Sequence, residues 1–125
     1  MTQMKQCLIV DDSRVVRRVA SRIVEDLGFV AEEVGDGAKA LDMSRRRLPD
    51  VVLLDWEMPG LSGIEYVVEL RKLPGGEATK VIFCATENDV EHIQQALNAG
   101  ADEYIMKPFD GDIVQAKFNI VGVLD

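Results

Sequence analysis

The sequence predicts an α/β fold in which a parallel five-stranded sheet lies between two layers of helices, a doubly wound three-layer sandwich. Two observations support this fold class. Five short apolar segments alternate along the chain with longer segments in which apolar residues recur at helical spacing. Most of the short segments are apolar on both faces, as expected for parallel strands that helices cover on both sides. Right-handed crossovers then favour helices on both faces of the sheet.

The first strand and helix are predicted from residues 7–28. Residues 7–10, CLIV, form a short apolar run, and Ser13 can cap the helix that comes next. Apolar residues in this helix recur at i, i+3, i+4 and i+7 until Gly28 ends it. The predicted buried face consists of Val16, Val19, Ala20, Ile23, Val24 and Leu27.

The next elements are a more exposed strand, a helix and a fully apolar strand. Residues 29–34, FVAEEV, mix apolar and acidic residues and predict an exposed second strand. Asp36 and Gly37 lead into a second helix, which stops before Pro49. Residues 51–54 are all aliphatic and predict a buried third strand.

The second half of the chain repeats the alternation. A third helix begins after Gly63 and ends at the PGG stretch 74–76, and residues 81–85 predict the fourth strand. We expect Asn88 to cap a fourth helix that Gly100 terminates. The apolar residues of these two helices are Ile64, Val67, Val68 and Leu70 in the third, and Val90, Ile93, Ala96 and Leu97 in the fourth.

The closing elements are a fifth strand at residues 103–106, before Pro108, and a final helix. The apolar residues expected to line this helix are Ile113, Ala116, Ile120 and Val121. The chain contains no internal repeat, linker or low-complexity segment. We therefore expect residues 1–125 to form a single domain.

Composition limits the classes of function. With 125 residues, 47% of them hydrophobic, the chain is long enough for one core and too short for a second ordinary domain. The formal net charge of −8 works against attraction to nucleic acid or anionic lipid. No apolar run approaches the roughly 20 residues of a membrane helix, and the N-terminus lacks the apolar stretch of a secretory signal. We expect a cytoplasmic protein with no direct DNA contact and no membrane insertion.

Chemically active side chains come directly after the predicted strands. Because parallel strands point their carboxyl ends toward the same edge of the sheet, where open α/β sheets bind ligands, we expect these side chains to meet. The residues concerned are Asp11 and Asp12 after the first strand, Asp55 after the third, Ala85 and Thr86 after the fourth, and Lys107 after the fifth.

Three carboxylates and one ammonium at one sheet edge predict phosphoryl chemistry. Carboxylates within about 4 to 6 Å repel one another, and the pKa of at least one rises unless a cation compensates. Mg²⁺ takes one or two carboxylates together with waters and phosphate oxygens, and we expect it here, with Mn²⁺ as a substitute. Lys107 can pair with a phosphoryl group. Asp55, held beside the metal ion, could attack phosphorus and form an acyl phosphate.

Three stretches of the chain resemble the receiver domains of bacterial response regulators. They are LIVDDS at 8–13, VVLLDWEMPG at 51–60 with SG following, and AGADEYIMKPF at 99–109. The resemblance covers nearly the whole chain. It implies the strand order 2-1-3-4-5 of a flavodoxin-like sandwich, which periodicity alone would not provide.

The resemblance assigns roles to the acidic residues. It makes Asp55 the phosphoacceptor and Asp12 the direct Mg²⁺ ligand, with Asp11 contributing mainly through water. The backbone carbonyl of Glu57 completes the protein's share of the metal ligands. The metal site implied by the resemblance therefore consists of Asp11, Asp12, Asp55 and Glu57.

The resemblance also implies a route from phosphorylation to output, from which this chain departs at one position. Lys107 pairs with the phosphoryl group across a cis peptide bond to Pro108, and Tyr104 is the aromatic switch residue. Where the family usually has a hydroxyl after the fourth strand, this chain has Ala85, which cannot bond the phosphoryl group. Because neighbouring strand residues face opposite ways, Thr86 can substitute only if the strand ends at 85.

The function implied by the resemblance is a phosphorylation-activated switch of a two-component system. We expect a stand-alone, monomeric receiver of the chemotaxis type that accepts a phosphoryl group from the phosphohistidine of a histidine kinase or phosphotransfer protein. The domain would catalyse its own phosphotransfer and acyl-phosphate hydrolysis, and phosphorylation would change its binding to a downstream protein.

Two alternatives come from other functional classes. Ala85 is compatible with a pseudo-receiver that docks partners without phosphorylation, one version of which would bind an anionic nucleotide through arginines. A phosphatase would use Asp55 as nucleophile and Glu57 as acid or base, but no substrate-binding cap follows. The arginines are expected on solvated faces: Arg14, Arg17, Arg18 and Arg22 in the first helix, and Arg45, Arg46 and Arg47 in the second. His92 is expected at the surface.

Overall fold

The computed structural model describes residues 4–56, 58 and 60–124, and in them five parallel strands form one sheet. The strands are β1 (Gln6–Val10), β2 (Val30–Val34), β3 (Val51–Asp55), β4 (Lys80–Ala85) and β5 (Glu103–Met106). Their spatial order is β2-β1-β3-β4-β5, and every neighbouring pair is parallel. The predicted fold class and strand order are confirmed.

The described residues contain five α-helices, four of which connect successive strands while the last follows β5. They are α1 (Arg14–Asp26), α2 (Gly37–Arg46), α3 (Gly63–Lys72), α4 (Ile93–Ala99) and α5 (Gly111–Val121), with short 3₁₀ helices at Gly76–Ala78 and Glu87–His92. Within the described part of the chain, none of these helices has the length and apolar character needed to cross a membrane.

The sheet separates two hydrophobic clusters, because alternate residues of a strand face opposite sides. In β3, Val52 and Leu54 face the cluster under α2, α3 and α4, whereas Val51 and Leu53 face the cluster under α1 and α5. Fully burying each of these four side chains contributes about 1.5–3 kcal/mol to stability. The core therefore holds β3 firmly, and Asp55 at its end faces the same side as Leu53.

Polar side chains fix the starts of several helices. The hydroxyl of Ser13 accepts a hydrogen bond from the N–H of Val16 at the start of α1, as predicted. Ser62 and Glu65 form a reciprocal capping box at the start of α3. These two helices start close to the ends of β1 and β3, so their caps also hold the loops at that edge of the sheet.

The predicted helix faces are partly wrong. In α5, Ile113 and Ile120 are 41% and 64% exposed, and the buried residues are Val114 and Phe118. Val19 of α1 is likewise exposed. α5 carries apolar residues around most of its circumference, so periodicity allows more than one buried face. Packing against the sheet selects the face that buries Phe118 edge-on against Phe29.

The fourth helix begins later than predicted. Asn88 does not cap it, but lies inside the 3₁₀ helix Glu87–His92, which comes after Thr86, and α4 begins only at Ile93. The reason is a local hydrogen-bonding pair. The backbone N–H of Thr86 donates to the carboxylate of Asp89 across 2.9 Å, which begins the helical turn before Asn88.

Candidate functional site

The carboxyl ends of β1 and β3 bring three aspartates together. Asp55 is the last residue of β3, and Asp11 and Asp12 directly follow Val10, the last residue of β1. Val10 pairs with Leu54 in the sheet, so the two strands end at the same level. One carboxylate oxygen of each aspartate lies within 4.8 Å of the others. Asp11 and Asp55 are buried and Asp12 is exposed, so the cluster opens to solvent on one side.

Lys107 reaches this cluster from the end of β5. Its Nζ donates to Oδ2 of Asp11 across 2.7 Å and to Oδ1 of Asp55 across 3.1 Å. The backbone N–H of Lys107 donates to the carbonyl of Ala85 across 2.7 Å, which fixes its position beside β4. The peptide bond between Lys107 and Pro108 is cis. The ammonium therefore offsets the repulsion between two buried carboxylates.

The protonation of the two partners is set by burial and charge. Burial raises the pKa of Asp55 to about 6, against the opposing effect of the Lys107 ammonium, and the nearby Asp11 adds to the rise. Burial alone would lower the pKa of Lys107, but the hydrogen bond to Asp11 and the charges of both aspartates raise it above the ordinary value. Lys107 is therefore a cation at neutral pH, and Asp55 is mostly ionised.

Further hydrogen bonds hold the two buried aspartates in position. Oδ1 of Asp11 accepts from the N–H of Ser13 across 2.8 Å, and Oδ1 of Asp55 accepts from the N–H of Trp56 across 3.0 Å. Arg17 donates to the backbone carbonyl of Asp11 across 2.7 Å. The prediction that Arg17 lies on a solvated face of α1 is wrong. Its guanidinium is half-buried and also pairs with Glu33 of β2, a partner that the helical spacing of α1 cannot reveal.

The donor set fits a divalent cation that prefers oxygen. Asp11, Asp12 and Asp55 offer carboxylate oxygens from two neighbouring strand ends, which suits Mg²⁺ better than a softer metal. The exposed position of Asp12 leaves room for water ligands, which Mg²⁺ usually keeps. The fourth expected donor, the backbone carbonyl of Glu57, lies outside the described residues.

Two of the residues expected to transmit the signal, Ala85 and Tyr104, lie on the same side of the sheet. Ala85 is the last residue of β4 and is fully buried in the cluster under α3 and α4. Thr86 comes after it in extended conformation, and its hydroxyl donates to Asp89 across 2.9 Å. Tyr104 packs half-buried against the same cluster as Ala85, and the ammonium of Lys117 lies 4.5 Å from its ring centroid.

A contact between Trp56 and His92 is not predictable from the sequence. The two rings stack with centroids 4.2 Å apart and planes inclined by 12°, and Phe83 packs edge-on against the indole at 5.5 Å. His92, expected at the surface, is half-buried, and its Nδ1 is buried without a hydrogen-bond partner among the described residues. No spacing rule could find this pair, because Trp56 follows β3 and His92 ends the 3₁₀ helix that comes after β4.

The arginines at the end of α2 lie on a solvent-exposed face, as predicted. Arg45, Arg46 and Arg47 are all exposed, and Arg46 pairs with Asp42 across 2.9 Å on the helix surface. Basic side chains in the last turn also complement the helix dipole. This geometry explains their presence without a bound anion.

Comparison with known sequences gives the same family as the motifs. Residues 7–119 match the model of the response regulator receiver domain. The chemotaxis protein CheY of Halobacterium salinarum is 37% identical over 105 residues, which cover 84% of this chain and 86% of that protein. The chemotaxis protein CheY-3 of Vibrio cholerae is 35% identical over 113 residues, covering 90% and 87%.

Solved structures agree in fold. The chemotaxis response regulator CheY4 of Vibrio cholerae superposes with a TM-score of 0.87 at 29% identity, covering 95% of this chain and 99% of that one. The receiver domain of a Pseudomonas aeruginosa sensor histidine kinase, with a magnesium ion coordinated in its active site cleft, gives 0.86 at 26% identity, covering 96% and 99%. The predicted resemblance is confirmed: the chain belongs to the response regulator receiver domain family.

Proposed function

We propose that this receiver domain is a phosphorylation switch that accepts a phosphoryl group on Asp55. The observation that carries the proposal is the placement of Lys107, whose ammonium contacts both Asp55 and Asp11 at a site that Asp12 opens to solvent. The ionised carboxylate can act as a nucleophile, and the fixed cation beside it can stabilise the negative charge of the phosphoryl group. No other group of three acidic, histidine or cysteine side chains in the described residues forms such a cluster.

The donor in this proposal is the phosphohistidine of a histidine kinase or phosphotransfer protein. An oxygen of the Asp55 carboxylate attacks phosphorus, so that an O–P bond forms while the N–P bond to the imidazole breaks. The imidazole leaves with the bonding electron pair and takes up a proton. The Lys107 ammonium, which contacts the free carboxylate before transfer, pairs with the phosphoryl oxygens once the acyl phosphate has formed. Asp11, Asp12 and Asp55 would hold Mg²⁺, or Mn²⁺ in its place, and the ion would supply positive charge for the phosphoryl oxygens.

The output in this proposal is a changed affinity for a downstream protein. Phosphorylation adds a group of about −1.5 to −2 charge to an edge of the sheet that already holds three carboxylates. Side chains that hydrogen-bond this group then favour one of two arrangements of the surface. Residues 1–125 act as one monomeric, cytoplasmic domain, and hydrolysis of the acyl phosphate resets it.

Intact mass spectrometry tests the proposal. The chain is incubated with Mg²⁺ and acetyl phosphate, with Asp55→Asn and a metal-free sample in parallel. The exposed Asp42→Asn variant is the matched control, because it removes a carboxylate far from the site. We expect one added phosphoryl group in the wild type and in Asp42→Asn, and none in the other samples. Absence of an adduct even at short times would favour the phosphorylation-independent docking module.

A further inference from the structure

We propose that Arg17 is a positioning residue for the Mg²⁺ site, and that it holds Asp12 in place through the backbone of Asp11. The inference rests on the proposed function and adds to it a residue outside the acidic cluster. Arg17 lies about one turn into α1, and its guanidinium donates to the carbonyl of Asp11 in the preceding loop. A second contact, with Glu33 of β2, holds the guanidinium from the other side.

Asp12, which the family resemblance makes the direct Mg²⁺ ligand, depends on the backbone for its position. It is exposed, and its carboxylate has no hydrogen bond or ion pair within the part of the chain that the structure describes. The carboxylates of Asp11 and Asp55, in contrast, both contact Lys107. Mg²⁺ demands near-octahedral geometry with short metal–oxygen distances. The peptide units that flank Asp12 must therefore be held accurately.

Two hydrogen bonds hold these peptide units. A peptide unit is planar, so a bond to its carbonyl oxygen also restrains the next Cα atom. Nη1 of Arg17 donates to the carbonyl of Asp11 across 2.7 Å, which restrains the unit before Asp12. The N–H of Ser13 donates to Oδ1 of Asp11 across 2.8 Å, which restrains the unit after it. Arg17 thus supplies the contact that reaches this loop from α1.

The guanidinium is itself held against the sheet. Oε1 of Glu33 lies 3.5 Å from Nε of Arg17, and Ser21, one turn further along α1, donates to Oε2 of Glu33 across 2.8 Å. Glu33 pairs with Ile9 in the β1–β2 ladder, so its backbone belongs to the sheet. A Cβ atom on Gly35 would lie 3.3 Å from Nη1 of Arg17, so this glycine leaves the space that the guanidinium fills. Arg17 therefore connects the loop of Asp12 to a fixed strand.

Charge alone predicts the opposite effect of Arg17. A guanidinium beside the acidic cluster repels a divalent cation, so its removal would strengthen Mg²⁺ binding. Removal of a positioning contact would weaken it, because replacing residues that orient metal ligands typically lowers metal affinity by roughly 10–100-fold. The sign of the change in affinity therefore distinguishes the two roles.

The test measures the Kd of the full chain for Mg²⁺ through the fluorescence of Trp56, the single tryptophan, whose N–H bonds Asp55. Arg17→Met removes the donors, and we expect the Kd to rise about tenfold. Arg17→Lys keeps the charge but not the planar fork that serves two partners, and we expect a similar rise. Arg18→Met is the matched control. It removes the same charge from the exposed neighbouring position, and the Kd should stay within about twofold of the wild type.

Titration with Ca²⁺ separates positioning from a general loss of stability. Ca²⁺ accepts flexible geometry and longer metal–oxygen distances, so Arg17→Met should change its Kd by less than about twofold. A variant that is partly unfolded would bind both ions more weakly in parallel. Glu33→Gln removes the charged partner of Arg17 and should weaken Mg²⁺ binding in the wild type, but add little in the Arg17→Met background.

Two results would overturn the inference. If Arg17→Met and Arg17→Lys bind Mg²⁺ at least as tightly as the wild type, Arg17 does not position Asp12. If Arg17→Met weakens Mg²⁺ and Ca²⁺ binding equally, Arg17 only stabilises the fold. A wild-type chain that binds no Mg²⁺ and gains no phosphoryl group from acetyl phosphate overturns the proposed function itself, and this inference with it.

Discussion

The ammonium of Lys107 lies 2.7 Å from the carboxylate of Asp11, although 96 positions separate them in the chain. The same ammonium contacts Asp55, and all three side chains are largely buried. The strand order explains these contacts. β1 and β3 are neighbours, and β5 lies two strands from β3 and ends at the same edge of the sheet. Lys107 thus places one cation in contact with both buried carboxylates.

Replacement of Lys107 by methionine should lower the free energy of unfolding at pH 7 by about 3 kcal/mol, because it leaves two buried carboxylates without their cation. Urea denaturation with a metal chelator present measures this change. Lys72→Met is the matched control: Lys72 pairs with Glu69 at the exposed surface, and its loss should change stability little. Equal effects of the two variants would show that the Lys107 ion pairs do not stabilise the fold.

Asp55 should make the stability depend on pH. Its pKa is about 6 in the folded protein and 3.8 as an isolated group, so the folded state binds the proton more tightly. The stability that protonation provides is complete below pH 4 and is lost as pH rises through 6. Without metal, the free energy of unfolding of Asp55→Asn should therefore rise relative to that of the wild type as pH increases across this range. The rise should reach about 3 kcal/mol, at 1.36 kcal/mol per pKa unit.

Urea denaturation of both proteins at several pH values between 4 and 8 measures this difference. Asp50→Asn, which alters an exposed aspartate at the opposite end of β3, is the control. A difference between Asp55→Asn and the wild type that stays constant with pH would contradict the raised pKa.

Mg²⁺ should stabilise the wild type but not Asp12→Asn. At a Mg²⁺ concentration about 100 times the Kd, binding to the folded state alone adds about 2.7 kcal/mol. Asp12 is exposed, so its replacement should change the melting temperature little in the absence of metal. Thermal unfolding with and without Mg²⁺ measures both effects. Asp26→Asn, an exposed change at the end of α1, should keep the full Mg²⁺ response, and an undiminished response in Asp12→Asn would exclude Asp12 as a ligand.

The His92–Trp56 stack should contribute about 0.5–1.5 kcal/mol beyond the area it buries. His92→Ala should lose this contribution and shift the Trp56 emission to longer wavelength, because water reaches the indole. His92→Phe keeps a flat ring and should retain both stability and emission. If the emission of His92→Ala matches that of the wild type, the rings do not stack in solution.

Much of the fold is predictable because its causes are local. Apolar runs of four or five residues mark β1, β3 and β4, and Ser13 marks the start of α1. The strand order is not predictable from local patterns, since it is implied by the motifs and not by periodicity. The start of α4 is harder to predict, because Asn88 is a favoured capping residue, whereas in the structure Thr86 and Asp89 begin a 3₁₀ helix that precedes α4.

The site is predictable to the extent that strand ends determine it. Asp11, Asp12, Asp55 and Lys107 each end or follow a strand, so the rule that parallel strands end at one edge brings them together. The contacts of Arg17 and His92 cannot be obtained from this rule. Each depends on a partner in a distant part of the chain, and the sequence carries no spacing that links Arg17 to Glu33 or His92 to Trp56.

The most direct test of the central claim is to trap the acyl phosphate chemically. After incubation with Mg²⁺ and acetyl phosphate, sodium borohydride reduces an aspartyl phosphate to homoserine, which peptide mass spectrometry locates in the chain. We predict homoserine at position 55, dependent on both the phosphodonor and Mg²⁺. Homoserine at another aspartate, or an unmodified Asp55 in a chain phosphorylated on a hydroxyl or on His92, would contradict the assignment of Asp55 as the acceptor.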